Sequence, residues 1–286
     1  MNEQVFSLRM PVERSSCAVF NSPHSGRDYP AAFLESSRLD PLQIRSSEDA
    51  FVDELFARAP ECGAPLLAAR VPRAFLDLNR GPEDLDPALI DGAARRAVNP
   101  RIVAGLGVIP RVVAEGRPII EGKLTLAEAE QRIAAHWHPY HAELATLVDG
   151  ARARFGSAIL FDCHSMPHDA LATAPVVWGR RPDVILGDRF GAACDRWLID
   201  AATEIFTAAG FVVARNAPFA GGYITQAYGR PRMGVHALQI EIDRALYMDE
   251  ARVERLPCFE QIRGRIGAAV ARLSELGPRE MRVAAE

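Results

Sequence analysis

The sequence predicts an α/β fold. Short apolar runs with strand character alternate along the chain with longer helical stretches, which is the pattern of α/β proteins. The run Ala158–Phe161 is wholly apolar, as in strands covered by helices on both faces. Hydrophobic residues make up 49% of the 286 residues, which is enough for an extensive core. The length fits one large domain or two small ones, and no low-complexity linker divides the chain.

The first half of the chain contains four predicted strands and one predicted helix. The first strand, Cys17–Asn21, runs into the tetrapeptide Pro23-His24-Ser25-Gly26. A helix is expected over Asp49–Arg58. Three further apolar runs are expected to form strands, namely Pro65–Val71, Phe75–Leu78 and Gly107–Val113.

The second half begins with a long helical region. Thr125 and Glu128 have the spacing of a capping box, and the region extends towards Phe155 with an expected interruption at Pro139. Asp188 is expected to cap a helix that carries Phe190, Trp197, Leu198 and Ile205. The remaining predicted elements are the strands Ala158–Phe161, Val184–Leu186, Phe211–Ala214 and Ala237–Ile242 and a terminal helix, Phe259–Leu276.

The composition argues against several classes of protein. The net charge is −4 and the pI about 6.0, so no basic excess points to nucleic acid. No stretch approaches the ~20 apolar residues of a membrane helix, and Met1–Val12 does not resemble a signal peptide. The five cysteines are widely spaced and form no Cys-x-x-Cys pair, which disfavours a disulfide framework or a cysteine-rich zinc finger. We therefore expect a soluble protein of the reducing cytoplasm.

Three predicted strands lead into polar residues suited to chemistry. His24 follows the first strand, Asn79-Arg80 follows Phe75–Leu78, and Asp162 and His164 follow Ala158–Phe161. Ligands of open α/β sheets bind at the carboxyl ends of the strands. The three sites could therefore converge in one place.

The strand Ala237–Asp243 carries polar side chains on one face. Side chains alternate across a strand, so Gln239, Glu241 and Asp243 share a face opposite the apolar residues. An unpartnered carboxylate inside a covered sheet is costly, so this face indicates a polar cavity, a metal or a nearby arginine. An edge strand with one wet face explains the same spacing equally well.

His24 and His164 are candidates for a zinc site. Catalytic zinc uses three protein ligands and keeps one position open for water. Asp162, two residues before His164, could orient that imidazole through its other ring nitrogen. The alternative is that each histidine simply caps a loop and that Asp162 is a turn residue.

The segment Gly221-Gly222-Tyr223-Ile224-Thr225 is a candidate for ligand contact. Adjacent glycines allow unusual backbone angles and a close approach of a ligand. An ordinary flexible turn remains the alternative. No Walker loop, Rossmann fingerprint or Gly-x-Ser-x-Gly elbow is present, which disfavours nucleotide binding and serine hydrolysis.

An ordered set of short motifs resembles the N-formylglutamate amidohydrolase family. Each motif is weak alone, but together they extend from about Val19 to Met248 in the order expected for the family. The motifs are Pro23-His24-Ser25-Gly26, Asp77-Leu78-Asn79-Arg80, Pro139-Tyr140-His141, Asp162-Cys163-His164-Ser165, Gly221–Thr225, Gln239–Arg244 and Leu246-Tyr247-Met248.

The resemblance implies a fold and a metal. The family resembles zinc carboxypeptidases and aspartoacylases, which implies a three-layer α/β/α domain with a mixed central sheet, here a single domain over residues 1–286. It implies Zn²⁺ with His24 and His164 as ligands. The peptidases place a carboxylate ligand three residues after the first histidine, where this chain has Arg27. Asp49 is therefore the predicted third ligand, with Glu48 as the alternative.

The resemblance also implies residue roles. Glu241 is expected to act as the base and Arg80 to stabilise the oxyanion. Asn79 is expected to bind the substrate's α-carboxylate, and Arg244 either binds a substrate carboxylate or forms a salt bridge with Asp243 or Asp77. The loop that contains Gly222, Tyr223 and Thr225 is expected to close over the substrate.

The implied reaction is hydrolysis of N-formyl-L-glutamate, or a similar acidic N-formyl amino acid, to formate and the free amino acid. The resemblance suggests histidine degradation as the pathway. Two alternatives stay open. One is a zinc hydrolase acting on another N-acyl amino acid or a short peptide, and the other is a metal-free binding protein on the same fold. The sequence does not reveal the oligomeric state.

Overall fold

A computed structural model describes residues 5–94 and 99–277 of the chain. The strands in this part are β1 (Phe6–Arg9), β2 (Ala18–Ser22), β3 (Leu66–Ala69), β4 (Ile90–Asp91), β5 (Leu124–Thr125), β6 (Ala158–Met166), β7 (Val184–Gly187), β8 (Val213–Arg215), β9 (Val235–Asp243), β10 (Met248–Asp249) and β11 (Glu254–Arg255). The α-helices are α1 (Ala31–Ser36), α2 (Val52–Leu55), α3 (Pro100–Val103), α4 (Leu126–Arg132), α5 (His138–Phe155), α6 (Arg196–Ala208), α7 (Tyr223–Tyr228) and α8 (Phe259–Glu275).

Seven strands form one mixed sheet in the order β1-β3-β2-β6-β9-β7-β8. The four strands β3, β2, β6 and β9 run parallel to one another, whereas β1 pairs antiparallel with β3 and β7 pairs antiparallel with β9. β6 and β9 pair along their whole lengths in the middle of the sheet. The predicted α/β class with a mixed central sheet is confirmed.

Helices cover both faces of the sheet. On one face, α6 and α8 bury Leu198 and Ile266 against strand residues such as Phe161. On the other face, α5 and α7 bury Leu144 and Ile224 in a second core. This is the predicted three-layer arrangement. Within residues 5–94 and 99–277, no helix is long and apolar enough to cross a membrane.

Two of the predicted strands are wrong. Phe75–Leu78 and Gly107–Val113 form buried loops outside any strand. Each loop supplies a hydrogen-bond partner to the other, since the Asp77 N–H donates to the Val108 carbonyl at 2.8 Å. Their apolar side chains fill the core on the α5 side of the sheet. The apolar composition of these two segments therefore indicates that they are buried, but not that they pair in a sheet.

Two predicted helices have different bounds. The stretch Asp49–Arg58 contains only the short helix α2, because Phe51 has a left-handed backbone with φ of 67°. The helix expected after Asp188 begins only at Arg196. Phe190 has φ of 57°, which no right-handed helix accommodates, and its side chain is exposed.

The long helical region does not stop at Pro139. A π-helical turn, Ile133–Trp137, joins α4 to α5, and Pro139 lies in the first turn of α5 directly after it. The strand predicted over Ala158–Phe161 extends to Met166. Asp162 and His164 therefore lie inside β6 and not after it. The strand β1 was not predicted, and it pairs at the edge of the sheet.

Candidate active site

A cavity of about 550 Å³ opens at the carboxyl ends of β2, β6 and β9. These strands are parallel and adjacent, so the residues at their carboxyl ends lie side by side. The loops after β2 and β3 and parts of residues 101–116 and 218–222 complete the cavity wall. Polar lining residues come from distant parts of the chain: His24, Asp49, Arg73, Asp77, Asn79, Arg80, His164, Gln239, Glu241 and Arg244.

His24, Asp49 and His164 form one buried cluster that could hold a metal ion. The Nδ1 atoms of the two histidines are 3.1 Å apart. Asp49 Oδ2 lies 3.4 Å from His24 Nδ1 and 3.0 Å from His164 Nδ1. All three residues are at most 3% exposed. The three predicted ligands are thus brought together, although 25 and 115 residues separate Asp49 from the two histidines.

Carboxylates hold the outer nitrogens of both imidazoles. His24 Nε2 forms a hydrogen bond with Asp77 Oδ1 at 2.7 Å, and His164 Nε2 lies 3.0 Å from Asp162 Oδ2 and 3.1 Å from the Asn79 amide nitrogen. A carboxylate only accepts hydrogen bonds, so Nε2 of His24 carries the proton and its Nδ1 presents a lone pair to the cluster. Two imidazole nitrogens and a carboxylate oxygen are ligand atoms that zinc binds. The donor set therefore fits a divalent metal such as zinc.

The electrostatics of the cluster also favour positive charge at this place. Burial lowers the pKa of His164, but Asp162 and Asp49 outweigh it and raise that pKa well above its usual range. Burial raises the pKa of Asp49, but the two imidazoles and Arg244 outweigh it and hold that pKa well below its usual range. The cluster therefore stabilises a positive charge at this position, and either a proton or a metal ion could carry that charge.

A chain of buried hydrogen bonds fixes the carboxylate behind His164. Asn21 Nδ2 donates to Asp162 Oδ1 at 2.8 Å, and the Tyr140 hydroxyl donates to Asn21 Oδ1 at 2.5 Å. Asn21, Tyr140 and Asp162 have no exposed surface. Residues from β2, β6 and α5 thus act together on the orientation of one imidazole.

Glu241 faces the cavity from β9. It pairs in register with His164 of β6, and Gln239 Nε2 donates to Glu241 Oε1 at 2.7 Å. Burial raises the pKa of Glu241 to about 7, although His164 opposes this shift. β9 lies inside the sheet and is buried along its length, so the alternative of a wet edge strand is wrong. A carboxylate with a pKa near neutrality is suited to general acid–base work.

The predicted arginine and asparagine sites lie in the cavity wall with protein partners. Arg80 donates through Nε to the Leu106 carbonyl at 2.9 Å and through Nη1 to the Asn79 carbonyl at 2.7 Å. Arg244 Nη2 donates to Asp49 Oδ1 at 2.9 Å, a salt bridge with neither of the two expected aspartates.

Two further candidates have clear partners. Asn79 Oδ1 accepts from the Ile224 N–H at 2.8 Å, which ties the first turn of α7 to the site. Glu48, the alternative ligand, bonds Arg45 and the Tyr29 hydroxyl instead of joining the cluster.

Arg73 belongs to the site, although sequence reasoning did not single it out. Its Nε donates to Asp77 Oδ2 at 3.1 Å, behind His24. Burial lowers the pKa of Arg73, but Asp77, Asp49 and Glu241 outweigh it and raise that pKa. The only signal in the sequence was an arginine four residues before Asp77, in a stretch that was interpreted as leading into a strand.

The glycine-rich loop packs against the site. A Cβ at Gly222 would lie 2.5 Å from the Asn79 amide, so only glycine fits there. Gly221 and Gly222 line the cavity. The Thr225 hydroxyl is buried and donates to the Gly222 carbonyl at 2.9 Å, and Tyr223 packs against Trp137. These two side chains support the loop in this structure.

The sheet and the site together define an α/β hydrolytic enzyme with a candidate metal centre. A family model for N-formylglutamate amidohydrolase matches residues 16–248. The chain is 34% identical over 239 residues to N-formylglutamate deformylase of Pseudomonas aeruginosa, with 81% of this chain and 82% of that protein covered. The deformylase of Pseudomonas putida is 31% identical over the same shares of the two chains.

A solved structure shows the same likeness over almost the whole chain. The crystal structure of N-formylglutamate amidohydrolase from Ralstonia eutropha JMP134 has 37% sequence identity and a TM-score of 0.89, covering 96% of this chain and 99% of that one. The chain belongs to the N-formylglutamate amidohydrolase family. The resemblance stated from the motifs is thus confirmed, and so is the amidohydrolase class of enzyme.

Proposed function

We propose that this protein is a zinc-dependent deformylase that hydrolyses N-formyl-L-glutamate, or a similar acidic N-formyl amino acid, to formate and the free amino acid. The observation that carries the proposal is that Glu241 faces the same buried cavity as the cluster of His24, Asp49 and His164. The activity named for the relatives supports the choice of substrate.

His24, Asp49 and His164 would hold the zinc. A bound zinc ion supplies Lewis-acid chemistry, lowering the pKa of a bound water to roughly 7. Glu241 takes a proton from the attacking water on its carboxylate and later delivers a proton to the leaving amine nitrogen. Its pKa, raised to about 7 by burial, suits both transfers. Gln239 keeps the carboxylate in place through its hydrogen bond to Oε1.

Arg80 is proposed to stabilise the oxyanion that forms as water attacks the formyl carbon. Arg73 is a second candidate for the same task, because its charge acts on both Asp49 and Glu241. Losing one oxyanion donor typically costs ~2.7–4 kcal/mol of transition-state stabilisation. Changing each arginine to glutamine distinguishes Arg80 from Arg73. Loss of the arginine that contacts the oxyanion should lower kcat, whereas loss of an arginine that only binds substrate should raise KM.

The charge of the cavity favours a substrate with two carboxylates. Among the residues that the structure describes, four arginines and four carboxylates line the wall: Arg73, Arg80, Arg101 and Arg244, and Asp49, Asp77, Glu115 and Glu241. With neutral imidazoles these charges cancel. A divalent ion leaves two positive charges, which matches a dianion such as N-formylglutamate.

The remaining predicted roles are kept as proposals. Asn79 and Arg244 would lie beside the substrate, with Arg244 also holding Asp49 in place. The loop of Gly222, Tyr223 and Thr225 would cover the substrate from the side of α7. We also place the enzyme in histidine degradation, on the family resemblance, and in the reducing cytoplasm, on the widely spaced cysteines.

A metal and substrate test decides the proposal. The protein is purified without added metal, analysed for bound metal, stripped with a chelator and reloaded with zinc. Release of formate or free amine is then measured with N-formylglutamate, N-formylaspartate, N-acetylglutamate and a glutamyl dipeptide. We expect zinc-dependent turnover that is fastest with N-formylglutamate. A protein that binds no stoichiometric metal and gains no activity from zinc would be a binding protein on this fold.

A further inference from the structure

One arginine of the cavity differs from the other three. Arg101 lies in the first turn of α3, and its exposed side chain lines the cavity. Within the part of the chain that the structure describes, its guanidinium has no hydrogen-bond or ion-pair partner. Arg73 and Arg244 are paired with aspartates, and Arg80 is bonded to backbone carbonyls. Among the described residues of the cavity, Arg101 is therefore the arginine whose guanidinium is free to meet a ligand.

Two hydrogen bonds hold Arg101 next to Arg80. Arg80 Nε donates to the Leu106 carbonyl at 2.9 Å, and the Leu106 N–H donates to the Arg101 carbonyl at 2.8 Å. Burial lowers the pKa of Arg80 and Asp77 opposes this shift, while the positive charges of Arg73 and Arg101 lower that pKa further. Positive charges held together at a cavity favour an anion between them.

Burial separates Arg101 from the other groups of the cavity. Arg80 and Glu241 are each 7% exposed, whereas Arg101 is exposed. Arg101 therefore lines the cavity from its solvent-exposed rim, and Glu241 lines it from the buried interior. The apolar residues Leu106, Pro110, Val112 and Val113 line the wall of the same cavity and could contact a short methylene chain.

We propose that Arg101 binds the side-chain carboxylate of the substrate and selects acidic over neutral N-formyl amino acids. This inference rests on the proposed function. An arginine fork matches a carboxylate with two parallel hydrogen bonds, whereas a neutral amide offers it only one acceptor. With the formyl group at the base, a glutamyl side chain extends towards the rim. The residue thus acts on specificity and not on the chemical step.

The test compares N-formylglutamate with N-formylglutamine, which has the same shape but a neutral side chain. In zinc-loaded Arg101→Gln, we expect kcat/KM for N-formylglutamate to fall roughly 10–100-fold, mainly through a higher KM. The value for N-formylglutamine should stay within about twofold, so the preference for the acid should collapse. Arg101→Lys should recover part of the preference, because it keeps the charge but not the fork.

Arg152→Gln is the matched control. It removes the same charge from an exposed position in the last turn of α5. That turn precedes the amino end of β6, whereas the cavity lies at the carboxyl end of that strand. It should keep the preference for the acid. If Arg101→Gln keeps it as well, while the unaltered enzyme deformylates N-formylglutamate, the inference about Arg101 is overturned and the proposed function stands. If the zinc-loaded unaltered enzyme hydrolyses no N-formyl amino acid, the proposed function itself has failed.

Discussion

The hydrogen-bond chain behind His164 makes a prediction about metal affinity. Asn21→Leu removes the donor that fixes Asp162 Oδ1 at 2.8 Å, at a site with no exposed surface. A hydrogen bond to a charged group contributes ~1.5–3 kcal/mol, which corresponds to about 10–100-fold in affinity if the whole effect reaches the metal. Partners that orient a ligating histidine typically change metal affinity by a similar ~10–100-fold.

Tyr140→Phe should have a smaller effect in the same direction. It leaves Asn21 in place but removes the hydroxyl that holds Asn21 Oδ1 at 2.5 Å. The Asn21 amide then lacks the hydroxyl that keeps its oxygen towards Tyr140 and its nitrogen towards Asp162. We expect zinc affinity to fall about 3–10-fold, a fraction of the effect of Asn21→Leu, since the change lies one hydrogen bond farther from the metal.

The assay is competition for zinc against a chromophoric chelator at fixed pH, together with thermal unfolding of the metal-free protein. Tyr228→Phe is the control, because that hydroxyl bonds to His141 and not to the chain behind His164. It should lower stability without changing zinc affinity. If Asn21→Leu destabilises the metal-free protein but binds zinc as tightly as the parent, the chain supports the fold alone and the reasoning fails.

Three further predictions concern the cavity directly. Glu241→Gln should keep zinc bound while kcat falls by about 10²–10⁴-fold, because general acid–base transfer is lost; a near-normal rate would show that another group is the base. His164→Ala should lose stoichiometric zinc by metal analysis, with circular dichroism checking that the fold survives; retention of one tightly bound ion would remove His164 from the ligand set. Turnover requires ionised Glu241, so kcat/KM should fall tenfold per pH unit below the pKa of that carboxyl. Burial raises this pKa to about 7, and a bound cation lowers it from that value. A rate that is flat down to pH ~4 would contradict this assignment.

Residues of the central sheet could be predicted from the sequence. The apolar run before Asp162 and the alternation around Glu241 both follow from strand geometry, which acts over two or three residues. Because parallel neighbours end at the same edge, the sequence allows His24 and His164 to converge, and the family resemblance predicts that they do. The loops were harder. Phe75 to Leu78 is as apolar as a strand, but it is buried by neighbouring loops and has no strand partner.

Arginine roles could not be settled from spacing. Arg244 follows a strand that faces the cavity, which is equally consistent with a substrate contact and with a salt bridge. The structure gives it an acidic partner that lies 195 residues away, Asp49. Arg73 and Arg101 carry no motif, and their place in the cavity depends on loops whose path is decided by tertiary packing. Such contacts do not recur at a fixed spacing along the chain, so no sequence pattern predicts them.

The position of Asp49 shows why ligand spacing is a weak guide to a metal site. Three residues after His24, Arg27 points outward and pairs with Asp53 and Glu54 on the surface. Asp49 instead lies beside His24 because a backbone hydrogen bond joins the two residues. The Asp49 N–H donates to the His24 carbonyl at 3.0 Å. Coordination requires a carboxylate within reach of both imidazoles, and a long loop anchored at its ends meets that requirement as well as a short one. The departure from the peptidase spacing therefore changes the route of the chain but still brings Asp49 close to both imidazoles.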